Sequence, residues 1–217
     1  MTVRDLAVRS PLRGHVLHAY PYFFTPAMLS GLCGAVDRVR DVPGAFLEIG
    51  CARGHTTVFL NRHMQDTGHQ QRDYVCVDTF TGFVESDVEY EVDQRGKGEH
   101  LDTFRDSFRL NSLAAFEETM RINRCEGVRA IQGDVREVNL RALGPIAFAL
   151  VDVDLYLPVR DALDDVIDQM SPGGVVVVDD CVPNGRWDGA LEAYEETVAK
   201  LGREPDIRHG KLGFIEF

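Results

Sequence analysis

The stretch GGVVVVDDC, residues 173–181, decides the fold. Its four consecutive valines predict a strand that is buried on both faces, as the central strands of a parallel sheet are. The strand ends in two adjacent carboxylates, Asp179 and Asp180. Two like charges side by side repel each other unless a cation lies between them. The stretch therefore predicts a buried parallel strand with a cation at its end.

Similar apolar runs recur along the chain and alternate with helical patterns. Strands are predicted at 45–50 (AFLEIG), 73–80 (DYVCVDTF), 128–134 (VRAIQGD) and 146–154 (IAFALVDVD), and helices at 55–65, 112–123 and 187–201 and after Pro158. Thr56 or Thr57 is expected to cap the first of these helices. Two short strands near 206–209 and 212–217 are too close for a helical crossover, so they must be antiparallel. The predicted fold class is α/β: a Rossmann-like, seven-stranded, mostly parallel sheet with helices on both faces and a C-terminal antiparallel hairpin.

The whole chain, residues 1–217, has the length of a single domain. Residues 1–44 precede the first strand and are expected to form an N-terminal helical cap. Residues 84–111 interrupt the alternation with a polar, acidic segment, which predicts an insertion or lid rather than core. An aromatic patch near the N-terminus is expected to pack against the sheet, with a lid or a homodimer contact as the alternatives. Its members are His15, His18, Tyr20, Tyr22, Phe23 and Phe24.

Composition restricts the partners and the compartment. The net charge is −12, whereas nucleic acid and anionic membranes select for Lys and Arg, so neither is an expected partner. No apolar run approaches the roughly 20 residues of a membrane span, and the first residues lack the apolar core of a signal peptide. The five cysteines are scattered and contain no CxxC pair, which argues against a disulfide framework or a thiolate zinc site. A cytoplasmic protein with a small-molecule partner is expected.

The carboxyl ends of the predicted strands should meet at one edge of the sheet, where ligands bind in open α/β folds. A carboxylate stands at or near every one of these ends, which chance placement does not explain. The residues there are Glu48, Gly50, Cys51 and Gly54 after the first strand, Asp78, Thr79 and Phe80 after the second, Asp134 and Val135 after the third, Asp152 and Asp154 after the fourth, and Asp179 and Asp180 after the fifth.

The glycine turn after the first strand reads E-x-G-x-x-x-G. A dinucleotide site would need G-x-G-x-x-G, but Ala52 and His55 stand where its second and third glycines belong. No P-loop Gly-Lys-Ser/Thr is present either. The turn suits a ligand with a ribose for Asp78 to bind and no phosphates to hold. S-adenosylmethionine is such a ligand, and its sulfonium and ammonium charges suit an acidic site, whereas a nicotinamide oxidoreductase is disfavoured.

These motifs carry a resemblance to a known family. The matching segments are FLEIGCARGHTTVFL (46–60), VDTFTGF (77–83), GDVRE (133–137), LVDVDLYLPVRDAL (150–163), GGVVVVDDC (173–181) and RWDGALEAYEE (186–196). The chain resembles class I S-adenosylmethionine-dependent methyltransferases, and within them the macrocin O-methyltransferase family, which methylates hydroxyls of antibiotic deoxysugars. The resemblance implies a divalent metal, usually Mg²⁺, that is held by Asp152, Asp179 and Asp180.

The resemblance also assigns roles to the strand ends. Asp78 is expected to bind the ribose of S-adenosylmethionine, the Gly50 turn its methionine part, and Asp134 and Val135 its adenine. The full expected cofactor-binding set is Glu48, Gly50, Cys51, Gly54, Asp78, Thr79, Phe80, Asp134, Val135 and Asp152. Asp152 or Asp154 is the expected catalytic base, because Leu155 stands where catechol-type relatives carry a lysine.

The leading hypothesis is a metal-dependent O-methyltransferase that acts on a hydroxyl of a small molecule, such as a deoxysugar or another natural-product intermediate. A metal-independent small-molecule methyltransferase and a non-catalytic S-adenosylmethionine-fold binding protein are the alternatives. The carboxylates favour the enzyme, because a scaffold has no need of them. The plainer interpretations are that Asp179 and Asp180 form a solvated strand end and that Asp78 caps a helix.

Overall fold

The computed structural model describes residues 22–69 and 72–217, and within them seven strands form one sheet. The strands are β1 (Ala45–Ile49), β2 (Tyr74–Asp78), β3 (Val128–Gln132), β4 (Ile146–Val151), β5 (Met170–Val178), β6 (Ile207–Arg208) and β7 (Leu212–Glu216). Their order across the sheet is β3-β2-β1-β4-β5-β7-β6. The first five strands pair in parallel, and β7 runs antiparallel to both β5 and β6. The predicted sheet and its C-terminal hairpin are confirmed.

Helices cover both faces of this sheet. They are α1 (Pro26–Arg38), α2 (His55–Asp66), α3 (Glu85–Asp93), α4 (Leu101–Asp106), α5 (Leu113–Asn123), α6 (Tyr156–Ile167) and α7 (Gly189–Lys200), with 3₁₀ turns at Gly98–His100 and Leu140–Leu143. Helices α1, α2 and α5 share one buried apolar cluster with the sheet, and α6 and α7 share a second. In β5, Val175 and Val177 belong to the first cluster and Val176 and Val178 to the second. The run of four valines is therefore buried on both faces, because successive side chains of a strand point to opposite sides.

Several element ends differ from the sequence-based prediction. Strand β4 stops at Val151 rather than at residue 154, because Asp154 adopts a left-handed conformation (φ +62°) that a strand excludes. Helix α2 has Gly54 as its N-cap and no side-chain cap, so the expectation that Thr56 or Thr57 caps it is wrong. The hydroxyl of Thr57 instead donates to Oε2 of Glu48 at 2.8 Å. Helix α6 carries Pro158 in its first turn, as predicted.

The inserted segment 84–111 folds onto the carboxyl edge of the sheet. It forms α3 and α4, and it buries Val88 and Phe104 against Leu155 in a third apolar cluster. The expectation that this segment contributes no side chains to the hydrophobic core is therefore wrong. Val88 and Phe104 are enough to anchor the two otherwise acidic helices. That it acts as a lid stays a prediction.

The N-terminal part of the chain is described from Tyr22 onward. Helix α1 lies within the expected N-terminal helical cap, while His15, His18 and Tyr20 fall outside the described residues. Phe24 is buried with 2% exposure, but Phe23 is 84% exposed, so the packing expected for the aromatic patch is wrong for Phe23. Among the described residues, no helix is both long and apolar enough to cross a membrane.

Candidate active site

The glycine turn between β1 and α2 is held against the end of β4. Gly50 has φ +88°, and a Cβ there would lie 1.8 Å from the carbonyl oxygen of Asp152. A side chain at Gly54 (φ +77°) would lie 2.4 Å from the Cε atom of Met120. Both positions combine a left-handed backbone with close packing, so only glycine fits them. The turn thus passes directly beside the carboxyl end of β4.

Asp78, at the end of β2, fastens this turn. Its Oδ2 accepts the N–H of Ala52 at 2.8 Å and its Oδ1 accepts the N–H of Phe80 at 2.6 Å. Burial raises the pKa of this carboxyl. Each oxygen has a second lone pair, so Asp78 can also accept hydrogen bonds from a ligand in the cavity that it lines. Asp78 does not serve as the cap of α2, whose N-cap is Gly54.

The two residues that follow Asp78 complete this loop. The hydroxyl of Thr79 donates to the carbonyl oxygen of Gly82 at 2.6 Å. Phe80 adopts φ +55° and packs its ring 5.5 Å from that of Phe116. Thr79 lines the cavity, whereas Phe80 is 1% exposed and supports the loop from behind.

Glu48 lies below the glycine turn with 1% exposure. Its Oε2 accepts the hydroxyls of Thr57 (2.8 Å) and Tyr74 (2.7 Å). Burial raises the pKa of Glu48 to about 7, although the two hydroxyls lower it. Cys51 is also buried, and burial raises the pKa of its thiol well above the ordinary value. Both residues line the cavity, and the hydroxyl bonds of Glu48 show that it also supports the turn.

The end of β3 is tied to the inserted segment by Arg136. This guanidinium donates from Nε to Oδ1 of Asp134 (2.9 Å) and from Nη1 and Nη2 to the two oxygens of Asp87 (2.8 and 3.0 Å). Asp87 belongs to α3 and is 3% exposed. Asp134 and Val135 line the cavity as expected. Asp134 is engaged by Arg136, a partner that the sequence analysis did not anticipate.

A carboxylate cluster lies at the ends of β4 and β5. Oxygen atoms of Asp152, Asp154 and Asp180 all lie within 4.8 Å of one another. Burial and the neighbouring carboxylates raise the pKa values of Asp152 and Asp154 well above the ordinary range. Asp154 and Asp180 both have left-handed backbones (φ +62° and +58°). Such a concentration of like charge on strained backbone is typical of a functional site.

The cation at the end of β5 is Lys211, in the turn between β6 and β7. Its Nζ donates to Oδ2 of Asp179 and to Oδ1 of Asp180, both at 2.7 Å. Burial lowers the pKa of Lys211, but the two carboxylates outweigh burial and the net shift is upward. Burial and Asp180 raise the pKa of Asp179 to about 6. Sequence reasoning missed Lys211, because only the antiparallel position of β7 beside β5 brings it to this edge.

Asp179 lies beside the cluster rather than within it. Its carboxylate is 5% exposed, and Oδ1 accepts no hydrogen bond from any described residue. An unpaired buried carboxylate oxygen is costly, so it invites a cation or a donor from a ligand. The expectation that Asp179 is a metal ligand stays a prediction.

Glu91 of α3 holds the start of α6, just after the carboxylate cluster. It is 1% exposed, and its Oε1 accepts the N–H of Tyr156 at 2.8 Å. Its Oε2 accepts Nε of Arg95 at 2.9 Å, and Arg95 in turn donates to Asp188 at 2.7 Å. A buried ionic chain therefore connects the inserted segment, the start of α6 and the region before α7.

One cavity of about 770 Å³ joins these parts. The glycine turn, Asp78 and the β3 loop line one part of it, and the carboxylate cluster and Lys211 line another. Trp187 also lines it and packs against Phe83 and Phe104, with ring centroids 5.6 and 5.4 Å apart. Trp187 thus forms part of the cavity wall.

Comparison with known proteins assigns the family. The sequence model of the macrocin O-methyltransferase family matches residues 27–199. The chain belongs to this family. One relative, an 8-demethyl-8-(2,3-dimethoxy-alpha-L-rhamnosyl)-tetracenomycin-C 4′-O-methyltransferase from Streptomyces olivaceus, is 28% identical over 141 residues, which cover 64% of this chain and 53% of the relative. The chain thus spans about half the length of this curated relative.

Solved structures agree with the macrocin O-methyltransferase family assignment at the level of the fold. The calicheamicin methyltransferase CalS11 has a TM-score of 0.73 at 21% identity, over 99% of this chain and 89% of that one. An O-methyltransferase from Bacillus cereus, solved in complex with SAH, has a TM-score of 0.57 at 15% identity, over 99% of this chain and 96% of that one.

The residues of this macrocin O-methyltransferase family member fit the two groups that the resemblance implies. Asp78 keeps free acceptor capacity beside a glycine turn that no side chain obstructs, which suits the ribose and the methionine part of S-adenosylmethionine. Asp152, Asp154 and Asp180 offer hard oxygen atoms, the donors that Mg²⁺ prefers. Lys211 supplies one positive charge against these carboxylates and Asp179, so a divalent cation would relieve the remaining repulsion.

Proposed function

We propose that the protein is an S-adenosylmethionine-dependent O-methyltransferase that methylates a hydroxyl of a small natural product, such as a deoxysugar, and that it uses a divalent cation, Mg²⁺. The observation that carries the proposal is the single cavity, in which the Asp78 turn and the carboxylate cluster face the same space. The Streptomyces olivaceus relative is a 4′-O-methyltransferase of a rhamnosyl tetracenomycin, and CalS11 is a TDP-rhamnose 3′-O-methyltransferase of calicheamicin biosynthesis. Both support the choice of acceptor.

S-adenosylmethionine would supply a methyl group on a sulfonium centre, and Mg²⁺ would supply positive charge that lowers the pKa of the acceptor hydroxyl. In this chain, Asp78 binds and orients the ribose, and the open backbone at Gly50 receives the methionine part. The SAH complex of the Bacillus cereus relative supports this half of the proposal. The acidic surroundings favour the cationic donor over its neutral product, which helps product release.

Asp152, Asp154 and Asp180 would hold the cation and, through it, the acceptor. Asp152 or Asp154 would take the proton of the acceptor hydroxyl, because both carboxylates line the cavity at the cation site. Trp187 and Phe83 exclude water from the cavity wall beside the cluster. Positioning of the two reactants in this cavity would account for much of the expected acceleration.

The test of the metal half compares methyl transfer to deoxysugar glycosides with and without EDTA. In Asp180→Asn, turnover should fall by at least about 100-fold, the scale on which positioned proton-transfer groups act. The Kd of S-adenosylmethionine should change only a few-fold. Asp168→Asn, at an exposed carboxylate just beyond the C-terminal end of α6, is the matched control and should retain full activity. Full activity of the native protein in EDTA would refute the metal and favour the metal-independent methyltransferase.

The test of the cofactor half is calorimetry with S-adenosylmethionine and NAD. Asp78→Ala should weaken S-adenosylmethionine binding by about 1.5–3 kcal/mol, the usual value of a hydrogen bond to a charged group. An unchanged Kd in this variant would refute the placement of the ribose. Tight binding without transfer to any glycoside, catechol or amine would favour the non-catalytic binding protein.

A further inference from the structure

Three side chains of metal-ligand type meet away from the carboxyl edge of the sheet. Asp37 lies in the last turn of α1, His63 in the last turn of α2, and His69 three residues beyond the end of α2. One ligand atom from each lies within 4.8 Å of the other two. Because α2 runs back from the end of β1, its last turn lies toward the amino ends of the strands. The cluster is therefore separate from the proposed active site.

The spacing of these atoms matches a tetrahedral ion. Oδ1 of Asp37 lies 3.0 Å from Nε2 of His63 and 2.9 Å from Nε2 of His69. Zinc bound at about 2.0–2.1 Å by nitrogen and oxygen holds tetrahedral ligand atoms about 3.3 Å apart. Each histidine nitrogen thus already stands at nearly the distance from Oδ1 of Asp37 that a shared ion requires.

Ordinary hydrogen bonding does not explain the whole arrangement. Nε2 of His69 is hydrogen-bonded to Oδ1 of Asp37. Nε2 of His63 lies as close to the same oxygen and is buried, but its alignment with the carboxylate is too poor for a hydrogen bond of normal geometry. Its ring nitrogen therefore does not point at the carboxylate. In a tetrahedral site, each ligand atom points at the ion and its neighbours lie about 35° off that line, which follows from the tetrahedral geometry of zinc.

The three side chains differ in solvent exposure in a way that suits a bound ion. The side chain of His69 is fully buried and that of His63 is 20% exposed, whereas that of Asp37 is 42% exposed. A fourth ligand can therefore come from water on the Asp37 side. Two imidazoles and one carboxylate suit zinc, whereas Mg²⁺ prefers an all-oxygen set.

We propose that Asp37, His63 and His69 form a zinc site that links the C-terminal end of α1 to the C-terminal end of α2. Arg40 moderates its affinity, because Nη2 lies 3.6 Å from Oδ1 of Asp37 and brings a positive charge beside the ion. The same guanidinium donates from Nη1 to the carbonyl oxygen of Thr67 at 2.9 Å. The site has no part in methyl transfer; it holds two helices together.

The test is equilibrium dialysis of the full chain against micromolar Zn²⁺ in millimolar Mg²⁺, which occupies the carboxylate cluster, followed by metal analysis. The native protein should retain one Zn²⁺ per chain and gain thermal stability. His63→Gln and His69→Gln should each weaken binding at least tenfold and abolish the stability gain. His100→Gln, in the inserted segment, is the matched control and should bind as the native protein does. Arg40→Gln should bind more tightly.

Two further measurements separate this site from the active site. Asp180→Asn should retain Zn²⁺ fully, and Co²⁺ in place of Zn²⁺ should give the visible absorption of a tetrahedral ion that His69→Gln loses. Equal Zn²⁺ retention by the native protein and both histidine variants would overturn the proposal, as would absence of retained Zn²⁺ in the native protein. Circular dichroism of the variants confirms that lost binding is not lost folding.

Discussion

Glu48→Gln should stabilise the apoprotein at alkaline pH. The folded protein raises the pKa of Glu48 from 4.5 to about 7 because the carboxyl is buried. The protonated form is thus favoured by folding, and this contribution is present below pH 4.5 and lost as the pH rises through 7. Each pKa unit corresponds to about 1.4 kcal/mol, so the native protein loses about 3 kcal/mol of unfolding free energy between these pH values.

Glutamine has nearly the same shape, cannot ionise, and still accepts the hydroxyls of Thr57 and Tyr74 through its carbonyl oxygen. The variant should therefore escape this loss. A change of 1 kcal/mol shifts the Tm of a chain of this size by about 2–4 °C. The Tm difference between Glu48→Gln and the native protein should be about 6–12 °C more positive at pH 8 than at pH 4.5 by the same scale.

The assay is differential scanning calorimetry of both proteins across this pH range without S-adenosylmethionine. Glu117→Gln makes the same chemical change at an exposed position of α5 and should show no such pH trend. A Tm difference that is independent of pH would refute the reasoning, because it would mean that Glu48 is ionised in the folded state at the ordinary pKa.

Three further outcomes are expected. Lys211→Met should lower the unfolding free energy by about 1–3 kcal/mol at pH 8. The loss should be smaller at pH 5, because the pKa of Asp179 is raised from 3.8 to about 6 and its carboxyl is then protonated. Urea denaturation at both pH values measures this difference. Millimolar Mg²⁺ should raise the Tm of Lys211→Met more than that of the native protein, because the variant has lost its internal cation. Glu91→Ala should destabilise the protein by about 1–3 kcal/mol, because it leaves the buried N–H of Tyr156 without its acceptor and removes one of the carboxylates that pair with Arg95. It should also weaken Mg²⁺ binding in calorimetry through the turn at Asp154, and unchanged Mg²⁺ affinity would confine Glu91 to a structural role.

Local patterns were sufficient to predict the sheet. The valines of β5 and the apolar runs of β1, β2 and β4 are buried by helices on both faces of the sheet, so hydrophobicity alone marks them. The glycine turn could be located because its backbone excludes side chains. The end of β4 could not be located, since Asp152, Val153 and Asp154 read as an alternating strand ending, which the left-handed backbone of Asp154 excludes.

Pairing between distant residues could not be predicted. Arg136 and Asp87 are 49 positions apart, and Lys211 and Asp180 are 31 apart. Nothing in the sequence around these residues distinguishes a charged side chain that forms an ion pair inside the protein from one that is exposed to solvent. The burial of Glu91 in the inserted segment could not be predicted for the same reason, because it depends on Tyr156, which lies 65 positions later.

The position of Lys211 has a consequence for the order of folding. The ammonium that holds Asp179 and Asp180 is synthesised after β5 and α7 are complete. A nascent chain that has made the five parallel strands therefore carries its carboxylate cluster without this cation, and β5 still has an open edge. Docking of β7 closes that edge and neutralises charge in the same event.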